Sequence, residues 1–364
     1  MSEAYRRAGV DYRKLKIGKG RMSVLIPETR GFAYQRGIEV RRTGAWRLLF
    51  PRPCLFWGPI VESLGTKDYI AQWMYAETCD ARHWRGIPAD VVEMAVMDLL
   101  RHGALPFAGA DLIAVWDGAW FEDDQRMEAV AGGFLDSCRQ NGMALVGGET
   151  PGLRQLLDYR LRPDDAPVFA FAANGVIDQE FDAERDVAPG LQIVGVASSG
   201  PHANGYSLLK QTGLALADRF LTPVPGGASF GEEVLAPTRS YARLVEAVIV
   251  LGVPVAAFAP ITGGGLGKLA AAAPFTYVIE RWPERIPPVF PFLLERGISL
   301  KDCLSTFNWG IGACFIVWEK HVDRLLEVGR NAGYELYHLG HVENGEPRVI
   351  AQWAGGMVIE PPGD

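Results

Sequence analysis

The sequence predicts a two-domain α/β protein, and three observations support this prediction. Short apolar runs typical of strands alternate with amphipathic helical segments in both halves of the chain. The length of 364 residues suits two domains of ordinary size. A polar, turn-rich stretch at 178–190 is the best candidate for a linker. We therefore expect an N-terminal domain over 51–177 and a C-terminal domain over 178–364.

The N-terminal half opens with residues 1–50, which are rich in Arg, Lys and Gly and show weak periodicity. A mobile arm with a lead-in and a merely frayed tail are equally good interpretations. "CLFWGPIV" (Cys54–Val61) predicts a buried strand, and the spacing of apolar residues in Ala89–Ala104 predicts a helix that Gly103 ends. The segments that follow predict strand, helix, strand and strand: "FAGADLIAVW", "QRMEAVAGGFLDSCRQNG", "MALVGGET" and "APVFAFAANGVI".

The C-terminal half repeats this alternation. Its segments predict strand, helix, glycine turn and strand, then strand, helix and strand: "LQIVGVASSG", "RSYARLVEAVIVLG", "ITGGGLGKLAAAA", "FTYVIE", "GACFIVW", "KHVDRLLEVGRNAG" and "ELYHLGHV". The pattern leaves the order of the strands in their sheets open.

Composition excludes several classes of protein. The net charge of −7, without blocks of like charge, makes nucleic acid or an anionic membrane a poor partner. The five cysteines form no CxxC pair, which favours a reduced, cytoplasmic setting over a disulfide framework. The N-terminus lacks the apolar core of a secretory signal, and no apolar run reaches the ~18 residues of a membrane helix. We expect a soluble cytoplasmic protein.

Four glycine-containing turns follow apolar strands and are candidates for binding phosphate. Glycine allows backbone N–H groups to approach an anion closely, although any tight turn also favours glycine. Neither GxxxxGK[ST] nor GxGxxG occurs, which disfavours P-loop and dinucleotide-binding proteins. The candidate phosphate-binding residues are Gly65, Thr66 and Lys67; Gly147, Gly148 and Glu149; Ser199 and Gly200; and Gly263 and Gly264.

Carboxylates near these turns are candidate ligands of a Mg²⁺ ion that accompanies nucleotide phosphates. They are Glu62, Asp90, Asp98, Asp111 and Glu149. Asp90 and Asp98 lie eight residues apart, so they could share one face of a helix, or they could be a helix-start acid and a solvated acid. Asp98 lies inside an apolar stretch, which favours the functional interpretation. His202 and Asn204 lie in a polar turn, where we expect the imidazole to face a cleft.

Eight segments stand out along nearly the whole chain, in this order: "YRRAGVD", "LGTK", "DVVEMAVMDLLRHGALP", "LVGGET", "SSGPHANGYSLL", "LAPTRSY", "ITGGG" and "STFNWGIG". Together they resemble the motifs of the aminoimidazole ribonucleotide synthetase (phosphoribosylformylglycinamidine cyclo-ligase) family. The resemblance implies a homodimer whose paired N-terminal domains form a barrel-like sheet, each followed by a C-terminal α/β sandwich.

The resemblance also implies the chemistry. ATP would activate the formyl-amide oxygen of formylglycinamidine ribonucleotide, and ring closure would release phosphate. Lys67 and the four turns would then hold phosphates, and Asp98, Asp111 and Glu149 would bind Mg²⁺. His202 would donate a proton or stabilise an oxyanion. The candidate catalytic residues that the resemblance implies are His202, Lys67 and Asn204.

Departures from the family pattern leave alternatives open. Glu62-Ser63 replaces Asp-Gly, Met97 replaces Asn, Pro260 replaces His, and Lys268-Leu269 replaces Glu-Asn. Met97 and Leu269 cannot form the hydrogen bonds of an amide. The leading hypothesis is the cyclo-ligase. The alternatives are a paralogue that uses ATP to activate an amide or carboxylate oxygen of another substrate, and a non-catalytic nucleotide-binding dimeric scaffold.

Overall fold

The computed structural model describes residues 12–35, 37–42, 45–48, 55–154, 156–157 and 167–362. The chain divides into two compact units. The N-terminal unit comprises the described residues of Met1–Leu99 and Pro106–Val176, and the C-terminal unit comprises those of Leu100–Leu105 and Ile177–Asp364. No helix within the described ranges is both long enough and apolar enough to cross a membrane.

The N-terminal half of the chain forms an antiparallel strand pair, a four-stranded sheet and five helices among its described residues. The sheet has the order β3-β6-β4-β5, and β4 runs parallel to β5. The helices are α1 (Tyr12–Gln35), α2 (Lys67–Thr78), α3 (Arg82–Arg85), α4 (Ile87–Leu100) and α5 (Asp124–Asn141). The strands are β1 (Ile38–Arg42), β2 (Ala45–Leu48), β3 (Leu55–Ser63), β4 (Ala104–Ala114), β5 (Ala144–Glu149) and β6 (Val168–Ile177).

Two helices of this half confirm the sequence prediction. In α4 the apolar residues at helical spacing, including Val92 and Leu99, have no exposed surface. In α5 the side chain of Asp123 accepts the N–H of Arg126 at the start, and Gly142 (φ +62°) ends the helix in the left-handed conformation. Both helices are therefore fixed by an apolar face together with local terminal signals.

Residues 12–35 form a helix that the weak periodicity of the N-terminal segment does not predict. Residues 1–11 lie outside the described residues, but α1 is a 24-residue helix that contains Pro27. Thr29 is fully buried, and its hydroxyl accepts the N–H of Leu145 in β5 at 2.8 Å. At the surface Arg21 pairs with Asp124 at 2.6 Å. These tertiary contacts stabilise a helix that propensity alone does not predict.

The first strand of the sheet is exposed, contrary to the prediction that Cys54–Val61 is a buried strand. β3 lies at an edge of the sheet. Phe56 is 43% exposed and Val61 is 66% exposed. The apolar composition predicted a strand correctly but did not reveal its position at the edge. An apolar edge strand and a buried strand have the same local sequence pattern.

The C-terminal half contains a seven-stranded sheet in the order β13-β12-β9-β11-β7-β10-β8. Its pairings are antiparallel except that β12 runs parallel to β9. The strands are β7 (Gln192–Ala197), β8 (Ala257–Pro260), β9 (Thr276–Ile279), β10 (Ile311–Val317), β11 (Leu336–Glu343), β12 (Arg348–Ala351) and β13 (Met357–Ile359). The helices are α6 (Ala183–Asp186), α7 (Tyr206–Ala215), α8 (Phe230–Val234), α9 (Ala242–Val250), α10 (Lys268–Ala272), α11 (Val289–Glu295), α12 (Leu300–Thr306) and α13 (Val322–Asn331).

The predicted linker at 178–190 is packed into the C-terminal unit. Phe181 is 1% exposed, and its N–H donates to the carbonyl of His102 at 3.2 Å. Gly103 (φ +74°) lies against the carbonyl of Gln179, where a Cβ would collide. The stretch that the sequence predicted as a linker therefore packs within the C-terminal unit through a buried aromatic residue, Phe181.

Candidate active site

The turn after β3 leads into a buried lysine. Gly65 is exposed and Thr66 is half-buried, but the side chain of Lys67, the first residue of α2, has no exposed surface. Its Nζ donates a 2.7 Å hydrogen bond to Oδ1 of Asp90 in the first turn of α4, which is equally buried. Burial lowers the pKa of Lys67, and the charge of Asp90 opposes this shift. Lys67 is therefore an interior ion-pair partner of Asp90, and its role as a phosphate ligand stays a prediction.

The parallel pairing of β4 and β5 places Asp111 opposite Gly148. A Cβ at Gly148 would collide with the Asp111 carboxylate, so this close approach requires glycine. Burial raises the pKa of Asp111 to about 7, and the negative charge of Glu149 contributes to the increase. Glu149 is exposed, and its Oε1 accepts the N–H of Thr150 at 2.9 Å. Asp111 and Glu149 therefore form an electrostatically coupled carboxylate pair beside the turn that contains Gly147 and Gly148.

The expected set of three Mg²⁺ ligands is not gathered into one preformed cluster. Asp98 is half-buried in α4, whereas Asp111 and Glu149 belong to neighbouring strands. Within the part of the chain that the structure describes, no group of three or more His, Cys, Asp or Glu side chains is arranged to hold a metal ion. The coupled pair is thus the candidate metal-binding element of this unit.

In the C-terminal unit, His202 is buried, and the prediction that its ring faces a cleft is wrong. The side chain is 2% exposed, and the residue adopts φ +62°. Its Nε2 accepts the N–H of Ser199 at 3.4 Å. The ring packs over Gly312, where a Cβ would collide with it, and lies 6.1 Å from the ring of Tyr241. A glycine far along the chain provides the space that the imidazole occupies.

The glycine turn after β8 lies beside the His202 turn. A Cβ at Gly263 would lie 3.2 Å from Oδ1 of Asn204, so the two predicted site residues are neighbours. Gly264 adopts φ +92°, a conformation that side chains rarely adopt, and lies close to Pro362. Gly265 (φ +57°) lies against the carbonyl of Leu304. The turn is therefore enclosed by the segment before Asn308 and by the end of the described chain.

Asn308 connects the His202 turn to the loop between α12 and β10. Its side chain is buried, its Nδ2 donates to the carbonyl of Gly200 at 2.8 Å, and its Oδ1 accepts the hydroxyl of Ser198 at 3.0 Å. The same oxygen accepts the N–H of Gly310 at 2.9 Å. A further backbone bond of 2.8 Å joins the Ser198 N–H to the Gly310 carbonyl. These contacts fix the first half of the turn.

The predicted residues are divided between the two units, and those in one unit are called a group. The N-terminal group contains the Lys67 turn and the Asp111–Glu149 pair, and the C-terminal group contains Ser199, Gly200, His202, Asn204, Gly263 and Gly264. Sequence reasoning missed Asn308, although it lies in the quoted "STFNWGIG" segment. A polar residue between two aromatic residues was the available signal.

The comparisons with known proteins agree with this fold. Residues 61–177 match the family model "AIR synthase related protein, N-terminal domain", and residues 188–352 match the corresponding C-terminal domain. Among solved structures, HypE in complex with ATP superposes with a TM-score of 0.58 at 16% identity, covering 88% of each chain. Thiamine-monophosphate kinase from Stenotrophomonas maltophilia K279a superposes with a TM-score of 0.58 at 19% identity, covering 89% of this chain and 94% of its own. The fold and glycine turns define the class of AIR synthase-related proteins.

Curated relatives narrow this class. Phosphoribosylformylglycinamidine cyclo-ligase of Bacillus subtilis is 32% identical over 359 residues, which cover 95% of this chain and 97% of the relative. The cyclo-ligase of Parasynechococcus marenigrum is 32% identical over 358 residues, which cover 94% and 97%. The chain belongs to the phosphoribosylformylglycinamidine cyclo-ligase family. The resemblance and the mixed α/β fold that the sequence predicted are confirmed.

Proposed function

We propose that the protein catalyses the ATP-dependent closure of the imidazole ring of formylglycinamidine ribonucleotide, giving aminoimidazole ribonucleotide, ADP and phosphate. The observation that carries this proposal is the 32% identity to cyclo-ligases over 95% of the chain. Solved neighbours of the same fold include HypE in complex with ATP and T. maritima PurL complexed with FGAR, at TM-scores of 0.58 and 0.54. These two support a nucleotide and a related ribonucleotide as ligands.

The proposed reaction has two steps, and the site must stabilise the charge that develops in each. Transfer of the ATP γ-phosphoryl group to the formyl-amide oxygen converts a poor leaving group into a good one. A nitrogen of the substrate then attacks that carbon, and phosphate leaves as the ring closes. Both steps develop negative charge, which backbone N–H groups at the Ser199–Gly200 and Gly263–Gly264 turns of the C-terminal unit would stabilise.

The residues of the N-terminal unit fit a magnesium ion. Asp111 and Glu149 provide carboxylate oxygens, the ligand type that Mg²⁺ prefers, and Asp98 is a third candidate. The pKa of Asp111, raised to about 7 by burial and by Glu149, marks a place where a second negative charge is costly. A bound Mg²⁺ would neutralise the nucleotide phosphates at this place.

A paralogue that acts on another amide or carboxylate oxygen is the second candidate. The observation that favours it is Lys268, which stands where the family has an acidic residue and is half-buried directly after the glycine turn. A cation at this position would prefer a substrate group of opposite charge. The other neighbouring departure, Leu269, is fully buried.

We also propose that the protein is a homodimer in which the N-terminal domain provides the interface. The exposed apolar residues Phe56 and Val61 on the edge strand β3 support this, because an uncovered apolar edge favours pairing with another strand. Val61→Glu should give a monomer by sedimentation without loss of the folded state. A wild-type protein that remains monomeric at all concentrations would contradict the dimer.

The test of function combines purified protein with ATP, Mg²⁺ and formylglycinamidine ribonucleotide. Equal amounts of aminoimidazole ribonucleotide, ADP and phosphate are expected, and the gene should rescue a purine auxotroph that lacks the cyclo-ligase. Substrate-dependent ATP hydrolysis with other amides but not with this substrate would favour the paralogue. ATP binding without turnover on any substrate would favour the scaffold.

A further inference from the structure

The hydrogen bonds of Asn308 suggest a role that the family resemblance does not assign to it. We propose that Asn308 is a positioning residue that fixes the Ser198–Gly205 turn for the reaction, an inference that rests on the proposed function. Asn308 does not itself need to touch a substrate, because it acts through the Ser198 hydroxyl and the Gly200 carbonyl. The proposal is carried by geometry: one buried carboxamide contacts both ends of the segment Ser198–Gly200.

The orientation of this carboxamide is determined by its partners. Its Oδ1 accepts two hydrogen bonds, from Ser198 Oγ and from the Gly310 N–H, and its Nδ2 donates to the Gly200 carbonyl. Exchange of the oxygen and nitrogen would place the amide NH₂ against the Gly310 N–H and the amide oxygen against the Gly200 carbonyl. The amide is therefore matched to its surroundings at three atoms, and a carboxylate of the same shape would not be.

The contact between Asn308 and Gly200 also affects His202, which follows two residues later in the chain. Asn308 holds the Gly200 carbonyl in the interior, and the preceding Ser199 N–H points to Nε2 of His202. The Ser199 hydroxyl is held in turn by the Pro237 carbonyl at 2.6 Å. The Gly200 carbonyl belongs to the peptide that joins Gly200 to Pro201, which has no N–H. A rotation of this peptide would redirect the chain that leads to His202 and would therefore shift the imidazole. A misplacement of about 1 Å in a site can reduce turnover by as much as ~100-fold.

Asn308→Asp tests this matching with almost no change in volume. The ionised carboxylate would oppose the Gly200 carbonyl, whereas the protonated acid can donate to it as the amide does. We expect kcat about 10- to 100-fold below that of the wild type at pH 8, with KM for ATP changed less than about threefold. Lowering the pH should raise kcat of the variant relative to kcat of the wild type measured at the same pH. The wild-type profile also accounts for titration of His202 in the same turn.

Asn141→Asp is the matched control. Asn141 is also fully buried, and its Nδ2 donates to Glu93 and to the Ser137 carbonyl, but it lies in the N-terminal unit. We expect this variant to lose stability in denaturation without the pH-dependent fall in kcat per folded molecule. If both variants lose kcat equally and without a pH effect, Asn308 is only structural and the proposal fails.

A second variant keeps the test decisive if Asn308→Asp does not fold. Ser198→Ala removes one donor to Oδ1 of Asn308 with little change in volume. We expect kcat to fall about three- to tenfold with KM for ATP nearly unchanged. Wild-type kcat in this variant would overturn the proposal. An inactive wild-type protein would instead refute the proposed function, so the two failures are distinguishable.

Discussion

The buried ion pair between Lys67 and Asp90 leads to a prediction that separates two roles for this lysine. If Lys67 is a phosphate ligand, its loss should weaken ATP binding and leave stability nearly intact. If it is an interior ion-pair partner, its loss should destabilise the fold. In the structure both side chains are 0% exposed and the Nζ–Oδ1 distance is 2.7 Å, which favours the second role.

The expected magnitude follows from this burial. Lys67→Met would leave Asp90 in the interior without the ammonium, and removal of one partner of a buried pair costs about 3–5 kcal/mol. The double variant Lys67→Met/Asp90→Leu removes both charges and should recover most of the loss, because apolar replacement of a whole buried pair is often nearly neutral. The gap between the single and double variants measures the penalty of leaving Asp90 without the Lys67 ammonium.

The assay is urea denaturation followed by circular dichroism, with calorimetric titration of ATP into the folded variants. Arg21→Met is the surface control: Arg21 pairs with Asp124 at 2.6 Å, but both side chains are exposed. We expect little change in stability there, because water screens an exposed pair. A loss below about 1 kcal/mol for Lys67→Met, together with a tenfold or larger loss of ATP affinity, would refute the structural role and restore the phosphate-ligand hypothesis.

Three further predictions concern the two residue groups. The pKa of Asp111 is raised from 3.8 to about 7, so the folded state binds the proton more tightly than the unfolded state does. The free energy of unfolding should therefore fall as the pH rises from 4 to 7, by on the order of 4 kcal/mol. Asp111→Asn should flatten this dependence when denaturation is measured at each pH. Gly148→Ala should weaken Mg²⁺-dependent ATP binding at least tenfold in calorimetry, whereas Gly31→Ala, where a Cβ meets nothing within 4 Å, should not. His202→Ala should cost about 1–3 kcal/mol in denaturation because the ring is 2% exposed, and an unchanged midpoint would contradict its packed position.

The sequence predicted those elements whose signals are local. The helix α4 has apolar residues at helical spacing, and α5 has an acidic start and a glycine end, so each could be read within one segment. The helix α1 could not be predicted, because Pro27 and its glycines lower helix propensity and its anchor is tertiary. Its buried Thr29 bonds to Leu145, which is 116 positions away.

The candidate site shows the same division. Glycine-rich turns were recognised because glycine permits backbone conformations such as φ +92° at Gly264. The burial of His202 was missed because a polar turn predicts exposure, whereas the space for the ring depends on Gly312 and the adjacent Tyr241. The composition of a segment does not predict which distant residues will pack against it, as Gly312 and Tyr241 pack against His202.

The departures from the family pattern can now be separated by their surroundings. Met97 is 2% exposed in α4, and Leu269 is 0% exposed in α10, so both replace a polar amide with an apolar residue in a core. Their loss of hydrogen-bonding groups is compatible with burial, because an amide there would need partners. Lys268 is different, since it is half-buried and adds a charge directly after the glycine turn. Among these three positions a change of substrate would therefore act through Lys268, and the effect of Lys268→Glu on substrate preference tests the paralogue against the cyclo-ligase.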